Sequence, residues 1–249
     1  MSGLARLYLH EGVAVSGSDA VASENTKKLE AEGAEITYVQ DGALIAAETD
    51  LVVYTEAMQS DHLEILKAKE LGIRTINYFE ALGEIANEYY LIAVAGTHGK
   101  TTTTAMLIDI LEEASFDPSA IVGSLRTKTG SNYRAGKSKY FIVEACEYKR
   151  DFMSLEPDML VITNIEHEHV DYYQDLQAVQ SSFKDLANKV PTEGFVVTVT
   201  ADPNIKPVLE ELKAQIVDCQ EYFNVGLQLT QPGVYNQQNA AAASAAAAT

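Results

Sequence analysis

The chain has 249 residues, enough for one large or two ordinary domains, and with 47% hydrophobic residues it can bury a full core. Its 36 acidic against 18 basic residues leave a net charge of −18, which argues against nucleic acid and anionic membrane surfaces as general partners. Cys146 and Cys219 stand far apart without metal-ligand spacing and read as reduced thiols of a cytoplasmic protein. No apolar run is long enough for membrane insertion and no signal peptide is evident.

In chain order, "MSGLARLYLHEG" reads as an amphipathic helix already under way, leading into a strand at Val13–Gly17. Strands follow at Glu35–Tyr38, Asp50–Tyr54 and Thr75–Tyr78, alternating with the helical patterns "ENTKKLEAEG", "HLEILKAKELG" and "YFEALGEIANEY". Two of those patterns end on glycine, as a helix C-cap does. The four short strands are expected to form one partial nucleotide-binding sheet over residues 1–90, with a boundary near Glu88–Leu91. Residues 91–249 carry strands at Leu91–Ala95, Ala120–Gly123, Tyr140–Ala145, Met159–Asn164, Phe195–Thr200 and Gln215–Asp218. Helical patterns there are "LQAVQSSFKDLANKV" and "PNIKPVLEELK". This alternation predicts an α/β fold with mainly parallel sheet. The chain closes on "NQQNAAAASAAAAT", where eight of the last ten residues are Ala. A low-complexity linker and a closely packed helix both fit this composition; the polar start at Asn236–Asn239 and the helix propensity of Ala favour the helix. A stop in mid-helix leads us to expect more protein after Thr249.

The chemistry gathers around "LIAVAGTHGKTTTT", an apolar strand followed by a two-glycine turn and a helix start. Amides after Gly96 can converge on phosphate oxygens at a helix N-terminus, where the dipole also favours an anion. Gly96 and Gly99 allow the tight turn, Lys100 can reach outer phosphates, and the Thr101 hydroxyl can ligate Mg²⁺. The full Walker pattern places a further glycine at Val94–Ala95, so this loop is a shortened form. A second group follows "YFIVEACEY": Glu144 falls at a strand end, where open α/β sheets bind ligands. The next apolar strand runs out into Asn164, Glu166, His167, Glu168, His169 and Asp171. Two readings fit that run: metal ligands beside the phosphate loop, or a solvated loop in a protein acidic throughout.

Taken in order, "GTHGKTTTTAM", "VEACEYKRDF", "VITNIEHEHVDYY" and "PGVYNQQNAAAA" resemble the ATPase domain of the Mur ligases. "SGSD" at Ser16–Asp19 and the following "LEAEGAEI" are similar to that family's UDP-binding domain, so the likeness covers nearly the whole chain. It implies a Rossmann-like UDP-sugar domain over 1–90, lacking its first strand and Gly-rich turn. A P-loop central ATPase domain over 91–249 would follow, with the C-terminal ligase domain missing. The implied activity is ATP-dependent amide ligation: a substrate carboxylate becomes an acyl phosphate, an amine attacks, and phosphate leaves. The loop form with His98 points to the branch that joins L-alanine to UDP-N-acetylmuramate in peptidoglycan precursor synthesis.

By motif, the resemblance implies a catalytic set of Lys100, Glu144 and His169, with Thr101, Glu144 and His169 as Mg²⁺ ligands. ATP would be held by Gly96, Thr97, His98, Gly99, Lys100, Thr101 and Thr102, and its adenine by Asn236 and Asn239. Ser16, Asp19 and Thr55 are the expected UDP-substrate residues. Departures from the family pattern are Cys146 for a carboxylate, Glu168 for Asp, and Tyr235 for the His before Asn236. In the first domain, Thr55-Glu56 replaces a serine pair and Val39-Gln40 a Gly-His pair. Cys146 has no adjacent cation to activate it and reads as a semi-buried thiol. His98 reads either as touching phosphate or as folding back on the loop; His10 and His62 read as surface residues. The alternatives are a sister ligase that recycles murein peptides onto the same nucleotide sugar, and a non-catalytic nucleotide-binding module. Residues 1–249 alone are expected to bind Mg-ATP with little or no ligation.

Overall fold

The computed structural model describes residues 1–224 and 227–249. The chain divides into two compact units, Met1–Leu82 and Gly83–Thr249.

In the first unit, α1 (Ser2–His10) buries Leu4 and Leu7. There follow β1 (Ser16–Ser18), α2 (Glu24–Ala31), β2 (Glu35–Thr37), β3 (Leu51–Tyr54), α3 (Leu63–Glu70) and β4 (Arg74–Asn77). Ser23 caps α2 with a reciprocal box: its hydroxyl accepts from the Thr26 amide at 3.1 Å, and its own amide donates to Thr26 Oγ1 at 2.9 Å. Gly33 and Gly72, just past α2 and α3, take φ of +108° and +70°, the left-handed turn-out expected of them.

The expected four-stranded sheet is not formed. β1 pairs in parallel only with β2, and β3 only with β4, giving two separate two-stranded sheets. β1 is Ser-Gly-Ser, with no apolar side chain to bury against another strand, and Val13 stays exposed, so this strand starts at Ser16 rather than Val13. Tyr78 opens α4 (Tyr78–Ala86) instead of closing β4. Asn77 explains the switch: its Oδ1 accepts from the amides of Phe79 and Glu80 at 2.9 Å each, while Glu80 reaches back to the Asn77 amide at 2.8 Å.

The second unit is built on a seven-stranded sheet in the order β11-β10-β9-β5-β8-β6-β7. Its strands are β5 (Tyr90–Ala95), β6 (Ser119–Arg126), β7 (Ser131–Arg134), β8 (Tyr140–Glu144), β9 (Met159–Ile162), β10 (Phe195–Thr198) and β11 (Gln215–Asp218). All neighbours are parallel except the β6–β7 edge hairpin. β7, "SNYR", lacks the alternation of a half-buried strand and is invisible to periodicity. β5 lies between β9 and β8, fully buried from Leu91 to Ala95.

Helix α5 (Lys100–Glu113) packs through Leu107, Ile108 and Leu111 into the core that also holds Val94, Val161 and Val197. The Ala-rich tail is the helix α8 (Val234–Ala248), whose Ala242, Ala243, Ala245 and Ala246 enter the same core. Residues this small let two backbones approach closely, which is why so many alanines are needed. α6 (Leu176–Ala187), capped by Asp175 at 2.8 Å from the Ala178 amide, sets Phe183 edge-on to Phe152 at 5.4 Å. The helix expected over "PNIKPVLEELK" is only α7 (Lys206–Leu209). Pro207 confines its start, and Glu210 in extended backbone followed by Glu211 at φ +65° ends it.

Candidate active site

Strand β5 delivers the chain to Gly96, whose φ is +136°. A Cβ there would lie 2.0 Å from Thr163 Oγ1, so only glycine lets the loop backbone press against the end of β9. The contact is zipped by hydrogen bonds. The Thr97 amide donates to Asn164 O at 3.0 Å, the His98 amide to Asn164 Oδ1 at 2.9 Å, and the Glu166 amide to Thr97 Oγ1 at 2.8 Å. Asn164 Nδ2 and the Thr163 hydroxyl both donate to His98 O, at 2.9 and 2.6 Å.

Gly99, at φ +82°, is the N-cap of α5. The amides of Gly99, Lys100, Thr101 and Thr102 make no backbone hydrogen bond among the described residues, and none of the four residues is fully buried. They present free donors at a helix N-terminus, the requirement for cradling a polyphosphate.

Lys100 curls over the loop. Its Nζ donates to Gly96 O, to Thr97 O at 3.1 Å and to Glu147 Oε1 at 3.0 Å. Thr101 Oγ1 donates to Glu144 Oε1 at 2.8 Å, and the Gly123 amide donates to Glu144 Oε2 at the same distance. The C-terminal end of β8 thus meets the first turn of α5 twice, through Glu144 on Thr101 and Glu147 on Lys100. His169, at φ +53°, places Nε2 3.6 Å from Glu147 Oε1, and its ring lies 4.8 Å from that of Tyr148. No hydrogen bond or ion pair joins His169 to Glu144 among the described residues. The predicted Lys100, Glu144 and His169 therefore do not touch one another as a trio among the described residues: Glu144 pairs with Thr101, while Lys100 and His169 both approach Glu147.

Glu147 is the residue the sequence reading passed over. Its only sequence signal was its spacing, three residues after Glu144 in "EACEY". Its side chain is 3% exposed and its main-chain carbonyl accepts from the Tyr173 hydroxyl at 2.5 Å.

Asn239 is buried on α8 beside the loop: a Cβ on Gly99 would come within 2.3 Å of Asn239 Oδ1. Asn236, one turn earlier, donates to Gln231 O at 3.1 Å, and Tyr235 is 83% exposed. His98 folds back, its Nε2 3.5 Å from Glu168 and 3.8 Å from Glu166 carboxylate oxygens at the surface. Burial pushes the Cys146 thiol up, away from a reactive thiolate. In the first unit Ser16 opens β1 and Asp19 follows it, and Asp19 Oδ1 accepts from the Val21 amide at 3.2 Å. Thr55 follows β3 there, its carbonyl accepting from the Met58 amide at 2.9 Å. No hydrogen bond joins Ser16, Asp19 and Thr55 to one another among the described residues. His62, read as a surface residue, has a partly exposed side chain that also caps α3, with Nδ1 accepting from the Glu64 amide at 3.3 Å.

The donor chemistry suits magnesium: a hydroxyl and a carboxylate oxygen in contact are hard ligands of the kind it takes. No cluster of three or more His, Cys, Asp or Glu side chains with metal-binding geometry occurs among the described residues, so much of the coordination would fall to nucleotide and water.

Residues 1–90 match the family model described as Mur ligase family, catalytic domain, and residues 94–223 match that of the Mur ligase middle domain. The chain belongs to the Mur ligase family. This Mur ligase chain is 42% identical over 218 residues to the UDP-N-acetylmuramate–L-alanine ligase of Clostridium kluyveri, across 87% of this chain and 48% of that one. It is 43% identical over 218 residues to the protein of the same name from Caldanaerobacter subterraneus subsp. tengcongensis, covering 87% and 47%. The chain spans about half the length of the curated relatives it matches. Among solved structures, the UDP-N-acetylmuramate:L-alanyl-gamma-D-glutamyl-meso-diaminopimelate ligase from Neisseria meningitides superposes with a TM-score of 0.90 at 27% identity, covering all of this chain and 89% of that one. No helix among the described residues of this Mur ligase chain is long and apolar enough to cross a membrane.

Proposed function

We propose that this Mur ligase chain is the nucleotide-binding part of a cytoplasmic, ATP-dependent enzyme that joins L-alanine to UDP-N-acetylmuramate. The observation that carries the reading is the Thr101–Glu144 hydrogen bond, which sets a hydroxyl and a carboxylate together at the mouth of a loop with four free amides. In this reading the amides of Gly99 to Thr102 bind phosphate oxygens and Lys100 neutralises the outer phosphates. Asn239, packed on Gly99, orients the base together with Asn236. Magnesium held by Thr101 and Glu144 would spread the charge of the transferring phosphoryl group. Glu144 is fixed for this by the Gly123 amide, so its carboxylate needs no reorganisation. His169 stands at the edge of the site where the substrate carboxylate becomes an acyl phosphate before the amine attacks. Ser16, Asp19 and Thr55 are proposed to contact the UDP moiety.

The test is ATP-dependent phosphate release by the full-length protein given UDP-N-acetylmuramate and L-alanine. Release that needs both substrates is expected; release indifferent to the amino acid would overturn the reading. A second reading, ligation of a preformed murein peptide to the same nucleotide sugar, is favoured by the 0.90 TM-score with the enzyme from Neisseria meningitides. Substituting that peptide for L-alanine in the same assay separates the two.

A further inference from the structure

We propose that Glu147 is a positioning residue of the phosphate site, a resident counter-ion of Lys100 that the nucleotide's outer phosphate displaces. The inference rests on the nucleotide reading above and adds a residue and a sequence of contacts to it.

An ammonium group has three N–H donors. In this structure all three are engaged, by Gly96 O, Thr97 O and Glu147 Oε1. A phosphate oxygen can therefore reach Lys100 only by replacing one of them. The two carbonyls belong to the loop, whose backbone is pinned to Asn164 and Thr163. The carboxylate belongs to the separate turn after β8, and as an anion it competes with phosphate for the same charge.

The resting pair is nearly dry: the Lys100 side chain is 16% exposed and that of Glu147 3%. Both carboxylate oxygens sit about an ammonium contact away, Oε1 at 3.0 Å and Oε2 at 2.9 Å, but only Oε1 has hydrogen-bond geometry. Oε2 is buried without a hydrogen-bond partner. A buried carboxylate oxygen with no donor marks a group held by its partner's charge rather than by a full hydrogen-bond set.

The turn that carries Glu147 cannot simply follow Lys100 outward. Its carbonyl is held by the Tyr173 hydroxyl, and two and three residues further on Lys149 and Arg150 are both left-handed at φ +50° and +63°. When Lys100 moves to phosphate, Glu147 stays behind, its Oε1 3.6 Å from His169 Nε2.

The sign of the effect follows. Neutralising Glu147 removes the competitor and leaves the Lys100 charge uncompensated until an anion arrives, so polyphosphate binds more tightly. The test is calorimetric titration of the full-length protein with ATP, in magnesium, for wild type and Glu147→Gln. The variant is expected to bind about tenfold more tightly, the scale of one lost charge-assisted contact. In a Lys100→Ala background the same substitution is expected to change affinity by less than about twofold, because the coupling runs through the lysine. Glu147→Asp keeps the charge but retracts it, and is expected to fall between wild type and Glu147→Gln. It decides the matter by itself if Glu147→Gln fails to fold. Equal or weaker ATP binding by the variants, or the same gain without Lys100, would overturn the inference while leaving the nucleotide reading in place. Failure of the wild type to bind ATP would overturn both.

Discussion

Thr101 and Glu144, 43 residues apart, are joined by a 2.8 Å hydrogen bond that ties the first turn of α5 to the C-terminal end of β8. The two strands concerned, β5 and β8, are parallel neighbours paired from Tyr90 with Tyr140 to Val94 with Glu144. Their common direction puts the phosphate loop and the carboxylate at the same edge of the sheet, as crossover connections in parallel sheets dictate. Replacing Glu144 by Ala removes the partner of both the Thr101 hydroxyl and the Gly123 amide. In the full-length protein, turnover is expected to fall by about 10²-fold or more, the scale of losing one preorganised electrostatic group. ATP affinity, measured by calorimetry, should change by less than about fivefold, since the amides and Lys100 remain. Unchanged turnover would remove Glu144 from the chemistry.

Gly96 is where the backbone itself sets the site. Ala at φ +136° is strained, and its Cβ would overlap the Thr163 hydroxyl at 2.0 Å. Gly96→Ala is expected to cost about 3 kcal/mol, combining backbone strain with overpacking, and to weaken ATP binding because the loop must move off β9. Chemical denaturation gives the first quantity and nucleotide titration the second.

The parts of this site that were legible in the sequence are those written in local chemistry. An apolar run ending in Gly-Thr-His-Gly-Lys announces strand, turn and helix within a dozen residues, and the Gly96 and Gly99 dihedrals bear that out. The Ala-rich tail was legible as a helix because propensity and composition agree. What escaped is long-range or negative. Glu147 looks like any acidic residue until folding brings it against Lys100, 47 positions away. Asn77 reads as a strand residue until its side chain is seen to cap α4, and α7 stops short because Glu211 adopts a left-handed turn that no pattern announces. Strand length told nothing of partners, so four strands in the first unit became two pairs.

Ala243 has no exposed surface and sits in the core shared by α8 and α5. Ala243→Leu forces extra atoms into a close helix approach and is expected to destabilise the fold by about 1–3 kcal/mol. Ala248→Leu, on the exposed end of the same helix, should stay within about 0.5 kcal/mol of wild type. Equal effects in thermal melts would mean that α8 does not pack against α5 through its small residues.

Burial raises both thiols, and pushes that of Cys219 up to about 12. Neither has the thiolate character that nucleophilic attack requires. A disulfide reagent at mildly alkaline pH should therefore label the native protein slowly and label both positions rapidly once it is unfolded. Fast native labelling of Cys146 would reopen a chemical role for it.

Glu112, in the last turn of α5, accepts from three cations: Arg126 at 3.2 Å, Lys128 at 3.1 Å, and Arg134. Arg126 and Arg134 come from β6 and β7, so the cluster clamps the edge hairpin to the helix that begins with the phosphate loop. Burial acts to raise the Glu112 carboxyl, but the hydrogen bonds from Arg126, Arg134 and Lys128 together outweigh it and hold it at about 2. The folded value lies below the ordinary 4.5, so the folded chain resists protonation more than the unfolded one does. The resulting stabilisation is complete above the ordinary value and is lost as pH falls from there toward about 2. Glu112→Gln is expected to cost about 1–2 kcal/mol at neutral pH, a modest figure because the cluster is partly solvated. Melting curves of the two proteins should converge as pH falls through that window. A gap that persists to the acid end would place the effect in packing rather than in the carboxylate's charge.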